Sequence, residues 1–303
     1  MIRVSQGHQE GIGLEVFLKS LAFISQEQAD NLKLYADLES LERTLDTLPH
    51  HSNINTEEIF FSGKRINLNL IPASSQPSTT SLNASLNDML DSDTLFTLPT
   101  SKDQLTINHN EPLGYTEFFR EHFNNRHISM CFKSGQHISA LLTDHLPLNK
   151  VVETLNENYI REKALIILDN IERHFFKLED IFFTGINPHS GENGRMGNEE
   201  EVLVKVIKFL KKKWPNIESS IIPADTVHFH LNTSRKQLFI YAYHDQALSA
   251  FKQRQGLYGA NISLGMPFKR LSVDHGTAFS LFGKNKADSS GCLYCLKEAL
   301  RWT

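Results

Sequence analysis

The stretch that decides the fold is 238–278, which reads LFIYAYHDQALSAFKQRQGLYGANISLGMPFKRLSVDHGTA. It begins with an apolar and aromatic run, 238–243, that is long enough for a buried strand. The run stops at the polar triplet HDQ (244–246), which is typical of a position where a parallel strand meets a ligand crevice. A second polar cluster, DHGT (274–277), follows another short apolar run. Apolar runs that end in titratable side chains indicate a binding site as well as a core.

The composition limits the class of protein. The chain has 303 residues, of which 40% are hydrophobic and 22% are charged, as in ordinary globular proteins. This length allows either two domains or one large two-lobed α/β unit. The net charge of −4 excludes a general attraction to nucleic acid or to an anionic membrane. Three cysteines are too few for a disulfide framework, and the first residues do not resemble a signal peptide, so we expect a cytoplasmic protein.

Strand-like and helical segments alternate along the chain, which favours an α/β architecture with a mainly parallel sheet. A glycine-rich turn at 7–13 leads into the first helix and can expose backbone N–H groups to an anion, although tight packing explains it equally well. The segment 30–48 is predicted to be helical, and the Ser-, Thr- and Pro-rich segment 72–93 is predicted to be a surface loop. Further predicted elements are a strand pair (128–132 and 137–142), a long helix (150–176), a strand (181–185) and two helices (199–214 and 292–302).

Three apolar strands end in histidines that lie in Pro-, Gly- or Asp-containing turns, namely His145, His189 and His244. If they converge at the strand ends, three neutral imidazoles suit a divalent metal that keeps open positions for a substrate. Asp225 and Asp245 are candidates to orient the ligands, bind the metal or carry protons. The alternative is that the histidines satisfy the backbone of their own turns, and the spacing does not decide between the two.

A second set of candidates contains Lys252, Asn261 and Arg270. Lysine and arginine near a strand-end site can hold a phosphate or a carboxylate, and an asparagine can fix a hydroxyl group. The alternative is that both cations are solvated surface charges. Tyr115 and Thr116 can supply hydroxyl donors, or they serve as a core aromatic and a helix cap.

The cysteine motif and the remaining histidines receive structural interpretations. Cys292 and Cys295 form a CxxC pair, and with one further cysteine in the chain a four-cysteine zinc site is excluded. We interpret the pair as residues on one helix face, with a redox function as the alternative. The pair His50-His51 is predicted to lie at the surface. His228 and His230 are also predicted surface residues, unless one of them lies near the site.

The longer motifs together resemble those of the 4-hydroxythreonine-4-phosphate dehydrogenase family of vitamin B6 biosynthesis. The resemblance is carried by GYTEFF (114–119), TDHLPL (143–148), NPHSGE (187–192), PADT (223–226), YHDQ (243–246), NISLGMPF (261–268) and SVDHGTA (272–278). These segments occur in the family's order between about residue 113 and residue 288. The chain before them departs from the family's pattern and looks shortened.

The resemblance implies a two-lobed α/β fold like that of isocitrate and isopropylmalate dehydrogenases, with a mainly parallel mixed sheet. Residues 1–108 and 266–303 are expected to form the first lobe, on the nucleotide side. Residues 109–265 are expected to form the second lobe, which carries the metal, the substrate and the dimer contacts. The family works as a homodimer, and its metal site is shared between the subunits.

The resemblance also implies a role for each candidate residue. The metal ligands fall on His145, His189 and His244, and the implied metal is Zn, Mg or Co. The substrate-binding positions fall on Tyr115, Thr116, Lys252, Asn261 and Arg270. The dinucleotide-binding loop, for NAD or NADP, falls on His275, Gly276, Thr277 and Ala278.

The implied reaction oxidises the C3 hydroxyl of 4-phosphooxy-L-threonine, and the resulting β-keto acid loses carbon dioxide to give 3-amino-2-oxopropyl phosphate. Two positions depart from the family's pattern: Tyr115 stands where a substrate-contacting histidine is usual, and Arg195 replaces a second histidine in the 187–197 segment. One alternative is therefore a dehydrogenase of another phosphorylated hydroxy acid, of the 4-phosphothreonate or 4-phosphoerythronate type. Another is a non-catalytic binding protein on the same fold.

Overall fold

The computed structural model describes residues 1–49 and 52–302, so the pair His50-His51 lies outside the described residues. The chain divides into two compact units. The first comprises Met1–Asn124, Leu257–Asn261 and Met266–Thr303, and the second comprises Asn125–Gly256 and Ile262–Gly265. The two functional lobes that the sequence predicts, with boundaries after residues 108 and 265, stay a prediction.

Strands and helices alternate along the described chain. The strands are β1 (Ile2–Ser5), β2 (Leu32–Ala36), β3 (Ser52–Ile54), β4 (Glu58–Phe61), β5 (Lys64–Leu70), β6 (Thr94–Thr97), β7 (Ser129–Ser134), β8 (His137–Leu141), β9 (Asp180–Thr184), β10 (Glu218–Ile222), β11 (Gln237–Tyr241), β12 (Ala260–Leu264) and β13 (Lys269–Val273). The helices are α1 (Gly13–Leu21), α2 (Gln26–Ala29), α3 (Leu38–Leu45), α4 (Pro77–Asn87), α5 (Tyr115–His122), α6 (Leu148–Thr154), α7 (Glu157–His174), α8 (Glu200–Lys213), α9 (Val227–His230), α10 (His244–Gln255) and α11 (Ser290–Leu300). Among the described residues, no helix combines the length and the apolar character that crossing a membrane requires.

The first unit is built on a mixed sheet with the strand order β13-β6-β1-β2-β5-β4-β3. The strands from β13 to β5 are parallel to their neighbours, whereas β4 and β3 add an antiparallel hairpin at one edge. Helix α11 packs against α1, β13 and β6. Because helices cover its central strands, their side chains are buried on both faces, as at the consecutive residues Leu95 and Phe96.

The second unit has the strand order β10-β9-β11-β8-β7, and β12, which is divided between the units, follows β7. The strands β10, β9, β11 and β8 are parallel, and β7 runs antiparallel to β8. In the register of these parallel strands, Leu141 pairs with Tyr241 and Ile240 pairs with Phe183. Four parallel neighbours therefore end at the same edge of the sheet.

The core of the second unit lies between this sheet and helix α10. Phe132, Phe239 and Phe251 belong to one buried cluster, and Phe251 of α10 packs its ring 5.9 Å from that of Phe132. The partly buried Phe182 stacks on Phe239 with ring centroids 5.1 Å apart. This packing holds α10, which begins at His244, against the strands whose ends precede the candidate histidines.

The α/β class and the mainly parallel mixed sheet are confirmed, as is the strand pair now seen as β7 and β8. The prediction of one helix over 30–48 is wrong, because β2 occupies its first half as a central strand between β1 and β5. The predicted loop 72–93 instead contains α4, which begins with a proline and buries small serine side chains against β1 and β2. The predicted helix 150–176 is two helices, because Asn156 accepts a hydrogen bond from the Tyr159 N–H and starts α7 anew.

Candidate functional site

The three candidate metal ligands follow neighbouring strands of the second unit. His145 lies after β8, His189 after β9 and His244 three residues after the end of β11, so all three lie at the carboxyl edge of the same sheet. The rings of His145 and His244 have their centroids 5.8 Å apart. With metal–nitrogen bonds of about 2.0–2.1 Å, two imidazoles at this separation can reach one ion. The structure thus brings His145 and His244 together and places His189 at the same edge.

His145 and His244 line one pocket of about 430 Å³ within the second unit. Asp245 and the buried Asp144 line it as well, whereas Lys252 does not. A pocket of this size accommodates a small organic acid. The sequence analysis gave the lining residue Asp144 no role. Its position directly before His145 was the available signal.

The side chain of Asp245 orients the ring of His244. The Nδ1 atom of His244 lies 2.6 Å from Oδ1 of Asp245. With Nδ1 as the donor, the Nε2 atom of His244 is left unprotonated, which is the form that binds a metal. A carboxylate on the second nitrogen is a common support of metal-bound histidines. The contact favours an orienting role for Asp245.

His189 lies in the loop Pro188–Gly194, whose backbone conformation is unusual. Five consecutive residues, 189–193, have φ between 44° and 77°, in the left-handed region. His145 has φ 49° and lies in the same region. Residues other than glycine adopt this conformation at a cost, so the surrounding structure must stabilise it. Two of the three candidate ligands therefore lie on strained backbone, which is a common property of functional sites.

The buried carboxylate of Glu200 stabilises the start of this loop. Its Oε1 atom accepts hydrogen bonds from the backbone N–H groups of Ile186 (2.8 Å) and Asn187 (2.7 Å). Its Oε2 atom lies 3.1 Å from the amide nitrogen of the Asn187 side chain, which also donates to Glu199 at 2.6 Å. The sequence assigned no role to Glu200. Its position in the first turn of a helix after a glycine-rich loop was the available signal.

Arg270 of the first unit is buried, so the alternative of a solvated surface charge is wrong for this residue. Only 1% of its surface is exposed, and its Nη2 atom donates to Oγ1 of Thr97 at 2.5 Å. The guanidinium group lies over the rings of Tyr115 and Phe119, at 5.0 and 5.4 Å from their centroids. Burial lowers the pKa of Arg270 to about 10. Because burying a cation is costly, a buried arginine framed by aromatic rings favours an anion-binding role.

Tyr115 and Thr116 lie in the first turn of α5, within the first unit. The hydroxyl group of Tyr115 donates to the backbone carbonyl of Leu98 at 2.9 Å, and burial raises the pKa of this phenol above its ordinary value. The prediction that Thr116 caps the helix is wrong. Helix α5 begins at Tyr115 with Gly114 in the capping position, and Thr116 is buried inside the first turn.

Asn261 and Lys252 lie in different environments. The Oδ1 atom of Asn261 is buried and has no hydrogen-bond partner among residues 1–49 and 52–302. A buried acceptor of this kind can be satisfied by a hydroxyl or ammonium group of a ligand. Lys252, by contrast, is exposed on α10, about two helical turns after His244.

The predicted dinucleotide loop, His275 to Ala278, follows β13. The Nδ1 atom of His275 lies 3.0 Å from the carbonyl of Gly276, and its buried Nε2 atom has no partner in the described part of the chain. With Nδ1 as the donor, Nε2 is an acceptor that a ligand N–H can satisfy. The carbonyl of Thr277 accepts from the Ile12 N–H at 3.0 Å, so this N–H group of the N-terminal glycine turn is not exposed to an anion.

The remaining candidates are Asp225 and the two cysteines. Asp225 is exposed and follows β10, at the same edge of the second unit's sheet as the three histidines. Cys292 and Cys295 are buried on α11 as free thiols. Burial raises the pKa of Cys292 to about 12 and raises that of Cys295 well above its ordinary value. Because the thiolate is the reactive form, these values favour the structural interpretation of the pair.

Comparison with known proteins gives consistent matches. Residues 27–299 match the sequence profile of a family described as pyridoxal phosphate biosynthetic protein PdxA. Over 191 residues the chain is 36% identical to a 4-hydroxythreonine-4-phosphate dehydrogenase of Enterobacter sp. (strain 638). That alignment covers 62% of this chain and 58% of the relative, which is less than two thirds of the relative's length.

Solved structures match over nearly the whole chain. A crystal structure of a 4-hydroxythreonine-4-phosphate dehydrogenase from Burkholderia phymatum has a TM-score of 0.81 and 25% identity, over 99% of this chain and 97% of that chain. For the 4-hydroxythreonine-4-phosphate dehydrogenase from Klebsiella pneumoniae, the TM-score is 0.81 at 24% identity, over 99% and 98% of the two chains. The fold is therefore the one that these dehydrogenases have.

Proposed function

This chain belongs to the family of the pyridoxal phosphate biosynthetic protein PdxA, and we propose that it is a metal-dependent dehydrogenase that uses NAD or NADP. The proposed reaction oxidises 4-phosphooxy-L-threonine at its C3 hydroxyl and then removes carbon dioxide, giving 3-amino-2-oxopropyl phosphate in pyridoxal phosphate biosynthesis. The observation that carries this proposal is the approach of His145 and His244, with ring centroids 5.8 Å apart, at the ends of parallel strands.

The donor set fits a divalent metal. His145, His189 and His244 would hold it, and the contact of His244 with Asp245 already favours the tautomer that binds a metal. Imidazole ligands favour Zn or Co over Mg, which prefers oxygen ligands. When bound, such a metal polarises the C3 hydroxyl group and the carbonyl group that replaces it.

The acidic residues receive separate proposed roles. Asp245 orients His244, because its carboxylate is already engaged with the ring nitrogen of that residue. Asp225 is exposed at the same sheet edge and is the proposed carrier of the proton that leaves the hydroxyl group. A bound nicotinamide would supply the acceptor for the hydride.

Three residues of the first unit are proposed to bind ligands through groups that are buried. The guanidinium group of Arg270 binds the phosphate, and the Oδ1 atom of Asn261 accepts a hydrogen bond from the substrate's hydroxyl or ammonium group. The Nε2 atom of His275 accepts a hydrogen bond from the dinucleotide, whose binding loop continues through Gly276 to Ala278. Tyr115, Thr116 and Lys252 complete the proposed substrate contacts.

The proposed assembly is a homodimer that shares the metal site between its subunits. Exposed apolar side chains beside the turn of His145 support this proposal, namely Leu146, Leu148 and Val152. Apolar side chains that are clustered at a surface commonly mark a protein interface. A cytoplasmic location stays a prediction.

One observation favours a second substrate class. Tyr115 stands where the resembled family commonly has a substrate-contacting histidine, and its hydroxyl group already donates to the carbonyl of Leu98. The side chain at this position therefore differs from the family's usual histidine in size and in hydrogen-bonding groups. This difference favours another phosphorylated hydroxy acid, of the 4-phosphothreonate or 4-phosphoerythronate type, as the second candidate substrate.

The experiment that tests the proposal follows the reduction of NAD and of NADP by the purified protein. Each reaction contains one of three substrates, 4-phosphooxy-L-threonine, 4-phosphothreonate or 4-phosphoerythronate, and either added Zn²⁺ or Co²⁺ or a chelator. We expect turnover that the chelator abolishes and the metal restores. Turnover only with 4-phosphothreonate or 4-phosphoerythronate would establish the second candidate. Absence of turnover with all three substrates, with metal bound, would contradict the dehydrogenase proposal and favour a binding protein.

A further inference from the structure

We infer that Gln246 is a positioning residue, which holds together the strand ends that precede His145, His189 and His244. This inference rests on the proposed metal role of the three histidines. Gln246 lies in the first turn of α10 and is partly buried. It is not itself one of the proposed ligands, and it acts through the backbone on which they are mounted.

The side-chain amide of Gln246 joins the end of β11 to the end of β9. Its Oε1 atom accepts hydrogen bonds from the Ala242 N–H at 2.9 Å and from Oγ1 of Thr184 at 2.8 Å. Its Nε2 atom donates to the carbonyl of Gly185 at 2.8 Å. One amide group therefore uses its acceptor twice and its donor once, on two strands that end beside each other.

The contact with Gly185 fixes the base of the loop that carries His189. Gly185 is buried directly after β9, and a Cβ atom at this position would lie 2.6 Å from Oγ of Ser190. The loop thus folds back onto Gly185 closely enough to require glycine. Because Gln246 binds the carbonyl of that residue, it fixes the point against which the loop packs.

The same network extends to the strand that precedes His145. The hydroxyl group of Thr143 donates to the carbonyl of Ala242 at 2.7 Å, and the Thr143 N–H donates to the same carbonyl at 3.1 Å. Residue Ala242 is therefore held on its N–H side by Gln246 and on its carbonyl side by Thr143. Each of the three strand ends has a direct hydrogen bond to this group of residues.

This arrangement of the strand ends affects the affinity for the metal. Three imidazoles bind one ion only if each nitrogen reaches it at about 2.0–2.1 Å, so small shifts of one strand end reduce the affinity. Residues that support metal ligands typically contribute about 10- to 100-fold in metal affinity. Glutamine suits this position because it offers a donor and an acceptor on one planar group. A glutamate carboxylate would still accept hydrogen bonds from Ala242 and Thr184, but it would repel the carbonyl oxygen of Gly185.

The test compares Gln246→Met and Gln246→Glu with the wild-type protein. The matched control is Gln255→Met, which removes the hydrogen bond from Ser134 at the other end of the same helix. Co²⁺ affinity is measured by competition with a chromophoric chelator, and the visible spectrum of bound Co²⁺ reports its coordination. We expect both Gln246 variants to lose at least about tenfold in Co²⁺ affinity and to change the spectrum, while Gln255→Met leaves both unchanged.

The outcomes separate this inference from the proposed function. Wild-type affinity and spectrum in a folded Gln246→Met protein would overturn the positioning role. If Gln246→Met does not fold, the same criterion applies to Gln246→Glu, which keeps the side chain's length and its acceptor. A wild-type protein that binds no Co²⁺ would contradict the proposed metal site itself, and the inference with it.

Discussion

At the scale of single residues, the sequence predicts which side chains form the candidate site. It does not predict the hydrogen bonds that hold those side chains in place. The strand-end pattern predicted His145, His189 and His244, and the structure places all three at one sheet edge. The pattern could not predict that Glu200 would hold the loop of His189, because this contact depends on a backbone conformation that the residue types alone leave open. The burial of Arg270 could not be predicted either, since a charged residue is ordinarily exposed.

The first prediction concerns Arg270 as the phosphate-binding residue. Replacing it by methionine, of similar length, removes charge-assisted hydrogen bonds worth about 1.5–3 kcal/mol, so the affinity for the phosphorylated substrate should fall at least about tenfold. The measurement is a binding titration with the substrate on folded protein. Arg254→Met, at an exposed position on α10, should leave the affinity unchanged. Unchanged affinity in Arg270→Met would rule out this role.

At the scale of elements, the strands were predicted better than the segments between them. The run 238–243 and the pair 128–132 and 137–142 were recognisable because buried strands are short and apolar. Helix α4 was missed because its serines pack in a tight interface, where small side chains fit and composition suggests a loop. The left-handed conformation of five residues in the loop Pro188–Gly194 was not predictable either, since it is set by packing around Gly191.

The second prediction tests that packing. A Cβ atom at Gly191 would lie 2.5 Å from Oε2 of Glu200, and the residue has φ 77°. Gly191→Ala should therefore displace the loop and weaken Co²⁺ binding about tenfold or more, as expected when support of a metal ligand is lost. Gly135→Ala is the matched control, because its φ is 56° but, apart from its chain neighbours, no atom of the described residues lies within 4 Å of the added carbon. Equal Co²⁺ affinity in the two variants would show that the loop does not support the metal.

The third prediction concerns the start of β9 and depends on pH. Hydrogen bonds from Arg235, and then from Gln237, lower the pKa of Asp180 despite its burial. A carboxyl group whose pKa is lower in the folded protein stabilises the folded state at pH values above its unfolded pKa of about 3.9. This contribution disappears as the pH falls through the folded pKa. Asp180→Asn should therefore lower the free energy of unfolding at pH 7.

The measurement for this third prediction is chemical denaturation of both proteins over a range of pH. The difference in unfolding free energy between wild type and Asp180→Asn should be largest near neutral pH and should shrink progressively below about pH 5. A difference that stays constant down to the acid limit of folding would show that the ion pair with Arg235 does not supply the stability.

At the scale of the whole molecule, the α/β class followed from the alternation of strands and helices, and the family followed from long motifs between residues 113 and 288. Each unit carries its own run of parallel strands, and the predicted mainly parallel sheet is confirmed. The division of β12 between the two units was not predictable, because the residue types of 260–264 read as one strand and mark no boundary within it. Assembly is likewise set by surface shape, which sequence periodicity does not describe.

The fourth prediction tests the proposed homodimer. Leu148 is 68% exposed beside the turn of His145, so Leu148→Asp should place a charge in the dimer contact and shift the protein towards the monomer. Sedimentation at several concentrations measures the shift. Leu90→Asp, at a position that is 62% exposed in the first unit, should leave the dimer intact. A monomeric wild-type protein would contradict the assembly.

The central claim is that three strand-end histidines hold one divalent metal. The most direct measurement is anomalous diffraction from crystals of the protein grown with Co²⁺ or Zn²⁺, recorded on both sides of the metal's absorption edge. We predict one strong peak per chain, in contact with imidazole nitrogens of His145, His189 and His244. A peak bound elsewhere, or none next to these histidines, would contradict the claim.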